Sequence, residues 1–244
     1  MKKADKTHTV LKRVFPGALT EENYLAATVA RLARWGFSAD NTIAAVSVCR
    51  DEICQPLVAL VREHWGEAFN LSSLAGMFLA GRTALRAAMH HAPCCGGRER
   101  FVFYLFSHIA LDADGRFGRV RRKGQPKPST ACGALCAFLG ELEQKKLVLS
   151  RDENDLEMGL VRSRLLSELP FGRVPDLLEL TQLARRLSFE DLRRALELEL
   201  NSKHCDWAVL SGVQIHLPAG NLVWPAESLA WVGGKFQRLS LGSR

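Results

Sequence analysis

The sequence predicts an α/β fold, a central sheet of buried strands flanked by helices. Two short apolar runs rich in β-branched and aromatic residues, 42–48 and 100–111, read as buried strands. Between and beyond them lie amphipathic segments with helical start and stop signals, so strands alternate with helices. The tail, WAVLSGVQIHLPAGNLVWP, reads as two more strands joined at Pro218 to Gly220.

In chain order, TEENYLAATVARLARWG (20–36) predicts an amphipathic helix, with Thr20 as N-cap, glutamates in its first turn and Gly36 at its stop. TIAAVSVCRDE then predicts a strand that ends near Cys49, and PLVALVREHWG a helix after it. SLAGMFLAGRTALRAAMHH carries small residues and glycines ahead of a helix ending near His91. RFVFYLFSHIAL is the strongest strand signal, and a basic segment punctuated by Gly and Pro follows it like a hairpin or loop. STACGALCAFLGELEQKK predicts a helix, and residues 152–200 two more, broken around Pro170 to Pro175. No repeat or linker divides the chain. One domain over residues 1–244 is expected, with an N-terminal helical region at 1–38 and a helical insertion at 152–200 before the final strands.

Composition excludes several classes. Apolar residues make up 47% and charged residues 24%, the balance of a folded globular protein rather than a disordered one. The basic first twenty residues lack an apolar h-region, and no stretch offers the roughly 18 apolar residues of a membrane span. A cytoplasmic location and no membrane partner are expected. Seven cysteines, an odd number, argue against a disulfide framework and leave thiols free to pack or to bind metal. The formal charge of +7 collects in Lys2, Lys3, Lys6, Lys12 and Arg13 and in the run from Arg116 to Lys127. Without zinc-finger spacing or an RNP-like strand, those runs read as solvated faces, and no nucleic-acid partner is expected.

Three neighbourhoods offer donor atoms. Cys49-Arg-Asp-Glu stands at the end of a buried strand, where ligands of α/β sheets bind. Cys132 stands at a helix start, where the dipole favours its thiolate. His90-His91-Ala-Pro-Cys94-Cys95 holds imidazoles and thiols together. Two thiolates and an imidazole would leave a fourth tetrahedral position open, as in catalytic rather than structural zinc sites. The chain has no C-x-x-C pair. A lone cysteine is also common core filler, so the spacing alone leaves both uses open.

Five stretches, in order, resemble one family: VCRDE (48–52), HWGEAFNLSSLAGMFLAGRTALRAAMHHAP (64–93), SHIALDADGRFGRVRRKGQ (107–125), STACGAL (129–135) and LSGVQIHLPAGN (210–221). The chain resembles the LCIB (limiting-CO2-inducible B/C) family, θ-type carbonic anhydrases similar to β-carbonic anhydrases. The resemblance implies a β-carbonic-anhydrase-like central sheet flanked by helices, with helical N-terminal and C-terminal additions. It implies zinc (Zn2+) as cofactor, carbon dioxide and bicarbonate as substrate and product, and a homodimer. Hydration would proceed through a zinc-bound hydroxide; the alternative is a catalytically weak zinc-binding scaffold of the same fold. Carried over by motif, the ligands are Cys49, His91 and Cys132, with His90 the alternative to His91. Cys94, at H-x-x-C spacing from His91, rivals Cys132. Asp51 matches the acid two residues after the first cysteine. Arg122 matches the arginine that orients it, with Arg50, Arg82 and Arg121 as substitutes. A plain helix-capping role is the other use open to Asp51.

Overall fold

The computed structural model describes residues 3–147, 152–200, 204–239 and 241, with the side chains of residues 3–5 left out. Lys2 and Lys3 of the N-terminal basic run, and both ends of the expected 1–244 domain, therefore fall outside the described side chains.

The architecture is a mixed sheet with helices on both faces. Its centre is β5 (Arg98–Ala110), which pairs in parallel with β2 (Thr42–Ser47) on one side and β8 (Cys205–Leu217) on the other. Outside β2 lies β3 (Ala68–Asn70), also parallel. Along its far edge β8 receives two antiparallel partners in succession: β10 (Leu229–Val232) beside its first half and β9 (Gly220–Pro225) beside its second. β1 (Leu19–Thr20) closes the β9 edge, β4 (Cys94–Cys95) pairs with the first residues of β5, and β11 (Lys235–Arg238) pairs with β10.

Alternation along β5 explains the helices on both faces. Phe101, Phe103 and Leu105 pack in one cluster with Leu85 of α4 (Gly81–Met89) and with Phe189, Leu192 and Leu196 of α7 (Leu177–Glu199). Val102, Tyr104 and Phe106 pack in another with Tyr24 and Leu25 of α2 (Glu21–Ala33) and Leu57 and Val61 of α3 (Gln55–Trp65). A strand buried on both faces reads as a continuous apolar run, which is why RFVFYLF carries no polar residue after its arginine. The remaining helices are α1 (Lys3–Val14), α5 (Gly133–Glu143) and α6 (Leu156–Leu166). A small separate hairpin, β6 (Arg119–Val120) with β7 (Ser129–Thr130), stands just before α5.

Thr20 caps α2 as expected, accepting the Asn23 N–H at 3.2 Å. The break between the last two helices comes at 167–176, and Asp176 with Glu179 forms a capping box that starts α7. The segment SLAGMFLAG (73–81) turns its apolar residues inward rather than to solvent. Met77 and Phe78 are buried in the chain's own core, because the segment folds back over the end of β5. Among the described residues, exposed large apolar side chains occur at Leu156, Leu160, Phe171, Val174, Leu198 and Phe236. Among the described residues, no helix is long and apolar enough to cross a membrane.

Gly76 makes that fold-back possible. Its φ is +68°, and a Cβ placed there would lie 2.0 Å from the carbonyl oxygen of Phe106 and 3.3 Å from the amide nitrogen of Cys49. Gly17 has a similar φ of +76° with nothing within 4 Å of the same position. Gly17→Ala is expected to lose about 1–2 kcal/mol, the cost of left-handed backbone alone, and Gly76→Ala clearly more, read as the shift in urea midpoint. Equal losses would show that the close approach at Phe106 is relieved without cost.

Candidate metal centre

Parallel pairing brings the C-terminal ends of β2 and β5 to one place. Ser47 lies opposite Leu105, so Cys49, two residues on, comes level with the region of Ser107 and His108. Even-numbered side chains of β5 face α2 and α3, and His108 follows Tyr104 and Phe106 onto that face. Cys132 arrives from elsewhere as the N-cap residue of α5. Its Sγ lies 3.7 Å from that of Cys49. One ring nitrogen of His108 and the two sulfurs all fall within 4.8 Å of one another, and all three residues are buried.

Among the described residues, no group meets hydrogen-bond geometry with either ring nitrogen of His108, although the residue is fully buried. A buried polar atom without a partner is costly and calls for an explanation. An ion held between the three side chains would supply one, since thiolate and imidazole are the donors that zinc takes in tetrahedral sites. The electrostatics agree. The Cys49 thiol is lowered to about 4, first by the hydrogen bond from Cys132 and then, against the cost of burial, by the His108 ring and the backbone N–H of Asp51. Cys132 is pushed well up, because it keeps its proton to donate to Cys49 and is itself buried. The backbone N–H groups of Ala134 and Leu135, in the first turn of α5, work in the opposite direction and favour its thiolate.

Asp51 and Arg122 meet at the rim. Nη2 of Arg122 donates to Oδ1 at 2.8 Å and to Oδ2 at 2.7 Å. The arginine is anchored on every side: Nε donates to Glu52 Oε1 at 2.5 Å, and Nη1 to the Thr130 carbonyl at 3.0 Å and to Ser129 Oγ. Desolvation lowers the pKa of Arg122, and the bonds to Asp51 and Glu52 more than reverse it. Asp51 also accepts the Ile53 N–H at 3.4 Å, capping a short 3-10 turn at Glu52–Cys54. The capping and the arginine-paired roles therefore coexist. Its carboxylate is not among the clustered donor atoms. Of the substitutes, Arg50 and Arg82 bind Glu157 and Glu199 instead, and Arg121 is exposed.

The structure does not bring His91 to the cysteines. His91 follows α4, exposed, with its ring 5.8 Å from Phe69 and lining a cleft with Thr42 at the start of β2. That is the opposite end of the strand from Cys49. His90 is likewise exposed at the C-cap of α4. Cys94 and Cys95 are exposed on β4, against the first residues of β5. The imidazole that does arrive, His108, lies inside the quoted SHIAL stretch. Its signal was the one used for Cys49, a donor residue at the C-terminal end of a buried parallel strand.

The family described as limiting CO2-inducible proteins B/C beta carbonic anhydrases matches residues 18–230. The chain belongs to this family. No curated protein matches it in sequence. Among solved structures, PtLCIB4, a homolog of the limiting CO2-inducible protein LCIB, is 27% identical with a TM-score of 0.81, over 95% of this chain and 99% of that one. LCIB itself is 29% identical with a TM-score of 0.77, over 96% and 99%. This member of the LCIB family thus shares their fold, and its Cys49–His108–Cys132 cluster is a donor set able to hold a metal ion.

Metal analysis of purified variants checks the donor set. His108→Ala and Cys132→Ser are expected to lose stoichiometric zinc, whereas His91→Ala and Cys94→Ser keep it. Zinc retained in His108→Ala and lost in His91→Ala would overturn the assignment.

Proposed function

We propose that this chain hydrates carbon dioxide reversibly to bicarbonate, with one zinc ion held by Cys49, His108 and Cys132. The observation that carries the proposal is the convergence of two buried thiols and an unpartnered imidazole beside an arginine-clamped aspartate, in a chain of a carbonic anhydrase family. When bound, zinc supplies the Lewis acidity that lowers the pKa of water from about 15.7 towards 7.

The residues divide the remaining work. Cys49 and Cys132 must both be deprotonated to bind, so ion uptake strengthens as pH rises. The first turn of α5 and the Asp51 amide stabilise the two anions with N–H groups already in place. Arg122 holds Asp51 through both carboxylate oxygens and keeps the carboxylate at the rim rather than among the ligands. From there Asp51 accepts a hydrogen bond from the attacking water and aims its lone pair at carbon. Carbon dioxide carries no charge, and the buried apolar groups of Ala75, Met77 and Phe106 lie against this end of the sheet.

A stopped-flow hydration assay tests the function: a zinc-loaded protein no faster than buffer overturns it. Within an active protein, Asp51→Asn is expected to keep zinc and folding while lowering turnover roughly 100-fold or more, the usual loss for one positioned acid–base group. Wild-type rates would remove Asp51 from the reaction. A homodimer is part of the same proposal, supported by the exposed Leu156, Leu160, Phe171 and Val174 on and after α6. Light scattering is expected to give twice the chain mass of 27.1 kDa, and a mass equal to one chain would contradict it.

A further inference from the structure

One ion satisfies one ring nitrogen of His108. The other remains a buried polar atom with no hydrogen-bond partner among the described residues. In metal sites, the nitrogen that does not bind the ion commonly donates to a neighbouring acceptor, which fixes the tautomer and tilt of the ring. On this face of the sheet, Cys54 Sγ and a ring nitrogen of His216 lie with a His108 nitrogen in a mutual group within 4.8 Å, all three residues buried.

The hydrogen bonds beyond Cys54 run in one direction. Oδ1 of Asn221 lies 3.0 Å from Nδ1 of His216. A carboxamide oxygen only accepts, so the proton of His216 sits on Nδ1 and Nε2 keeps its lone pair. Nε2 lies 3.8 Å from Cys54 Sγ, whose S–H is then the donor. The Asn221 side chain also faces the buried Glu21, whose carboxyl oxygen accepts from Gln214 Nε2 at 3.0 Å, and this acceptor favours the amino group on its side. The His216 ring meets the His108 ring edge-on, with centroids 5.2 Å apart at 74°.

We propose that Cys54 is the acceptor that positions His108. The ring nitrogen of His108 turned away from Cys49 and Cys132 donates to Cys54 Sγ, and the run Cys54–His216–Asn221–Glu21 sets the direction of that bond. Cys54 is thus a positioning residue for the ion and not a ligand. The proposal rests on His108 being the zinc-binding imidazole.

Chelator competition for zinc and the visible spectrum of the cobalt(II)-substituted protein test it. Cys54→Val replaces the thiol by an apolar group of similar size. It is expected to fold, to bind zinc roughly 10- to 100-fold more weakly and to shift the cobalt bands. Cys54→Ser, whose hydroxyl both accepts from His108 and donates to His216, is expected to restore most of the affinity. Should Cys54→Val fail to fold, Asn221→Leu at a half-buried position takes its place, with weakening expected in the same direction. Unchanged zinc affinity and cobalt bands in the folded variant overturn the proposal. So does a second equivalent of zinc in the wild type that Cys54→Val loses, which would make Cys54 a ligand. Wild type without zinc, or His108→Ala with it, would instead sink the zinc-site assignment beneath.

Discussion

Parallel pairing of β5 with β2 and β8 sets the height of every polar side chain at the candidate centre. A parallel sheet has no freedom to slip by one residue when both of its faces are buried. A slip would turn Phe101, Phe103 and Leu105 towards α2 and α3 and carry His108 to the other face. The same register lays Gln214 opposite His108 and His216 opposite Ala110, so the polar residues of β8 line up on one face. The apolar core thus fixes the placement of groups that contribute nothing to hydrophobic burial themselves.

Against that frame, electrostatic control is divided between backbone and side chain. Two sulfurs 3.7 Å apart cannot both be anionic at low cost without a cation between them. The fixed N–H groups near them, from Asp51 and from the first turn of α5, lessen the cost without adding a charge. Arg122 stands one step further out and neutralises Asp51 and Glu52 rather than the thiolates. Positive charge near the sulfurs would be left to the ion that the site is proposed to hold.

Much of the fold was legible, because its central strands and capped helices carry strong local signals. The strand expected at 100–111 is observed at Arg98–Ala110, and the one expected at 42–48 at Thr42–Ser47. The β10–β11 hairpin was not anticipated; its four-residue strands lack a long apolar run. Within the site, Cys49, Asp51, Arg122 and Cys132 do gather, as their motifs implied. His91 does not, because motif resemblance fixes order along the chain but not the end of the sheet at which a helix stops. Which of two histidine-bearing motifs reaches Cys49 depends on strand direction and side-chain parity, and both become definite only when β5 is paired.

The small β6–β7 hairpin has a consequence for substitution. Arg122 closes the base of its turn by reaching across to Ser129 and Thr130, and the chain enters α5 through Cys132 two residues later. Residues 123–127 between these anchors are exposed. Because loop closure becomes only slowly costlier with length, this segment can be lengthened, shortened or recharged without moving either anchor. Substitution at the exposed tip can therefore alter what the segment meets outside without displacing Arg122 or Cys132.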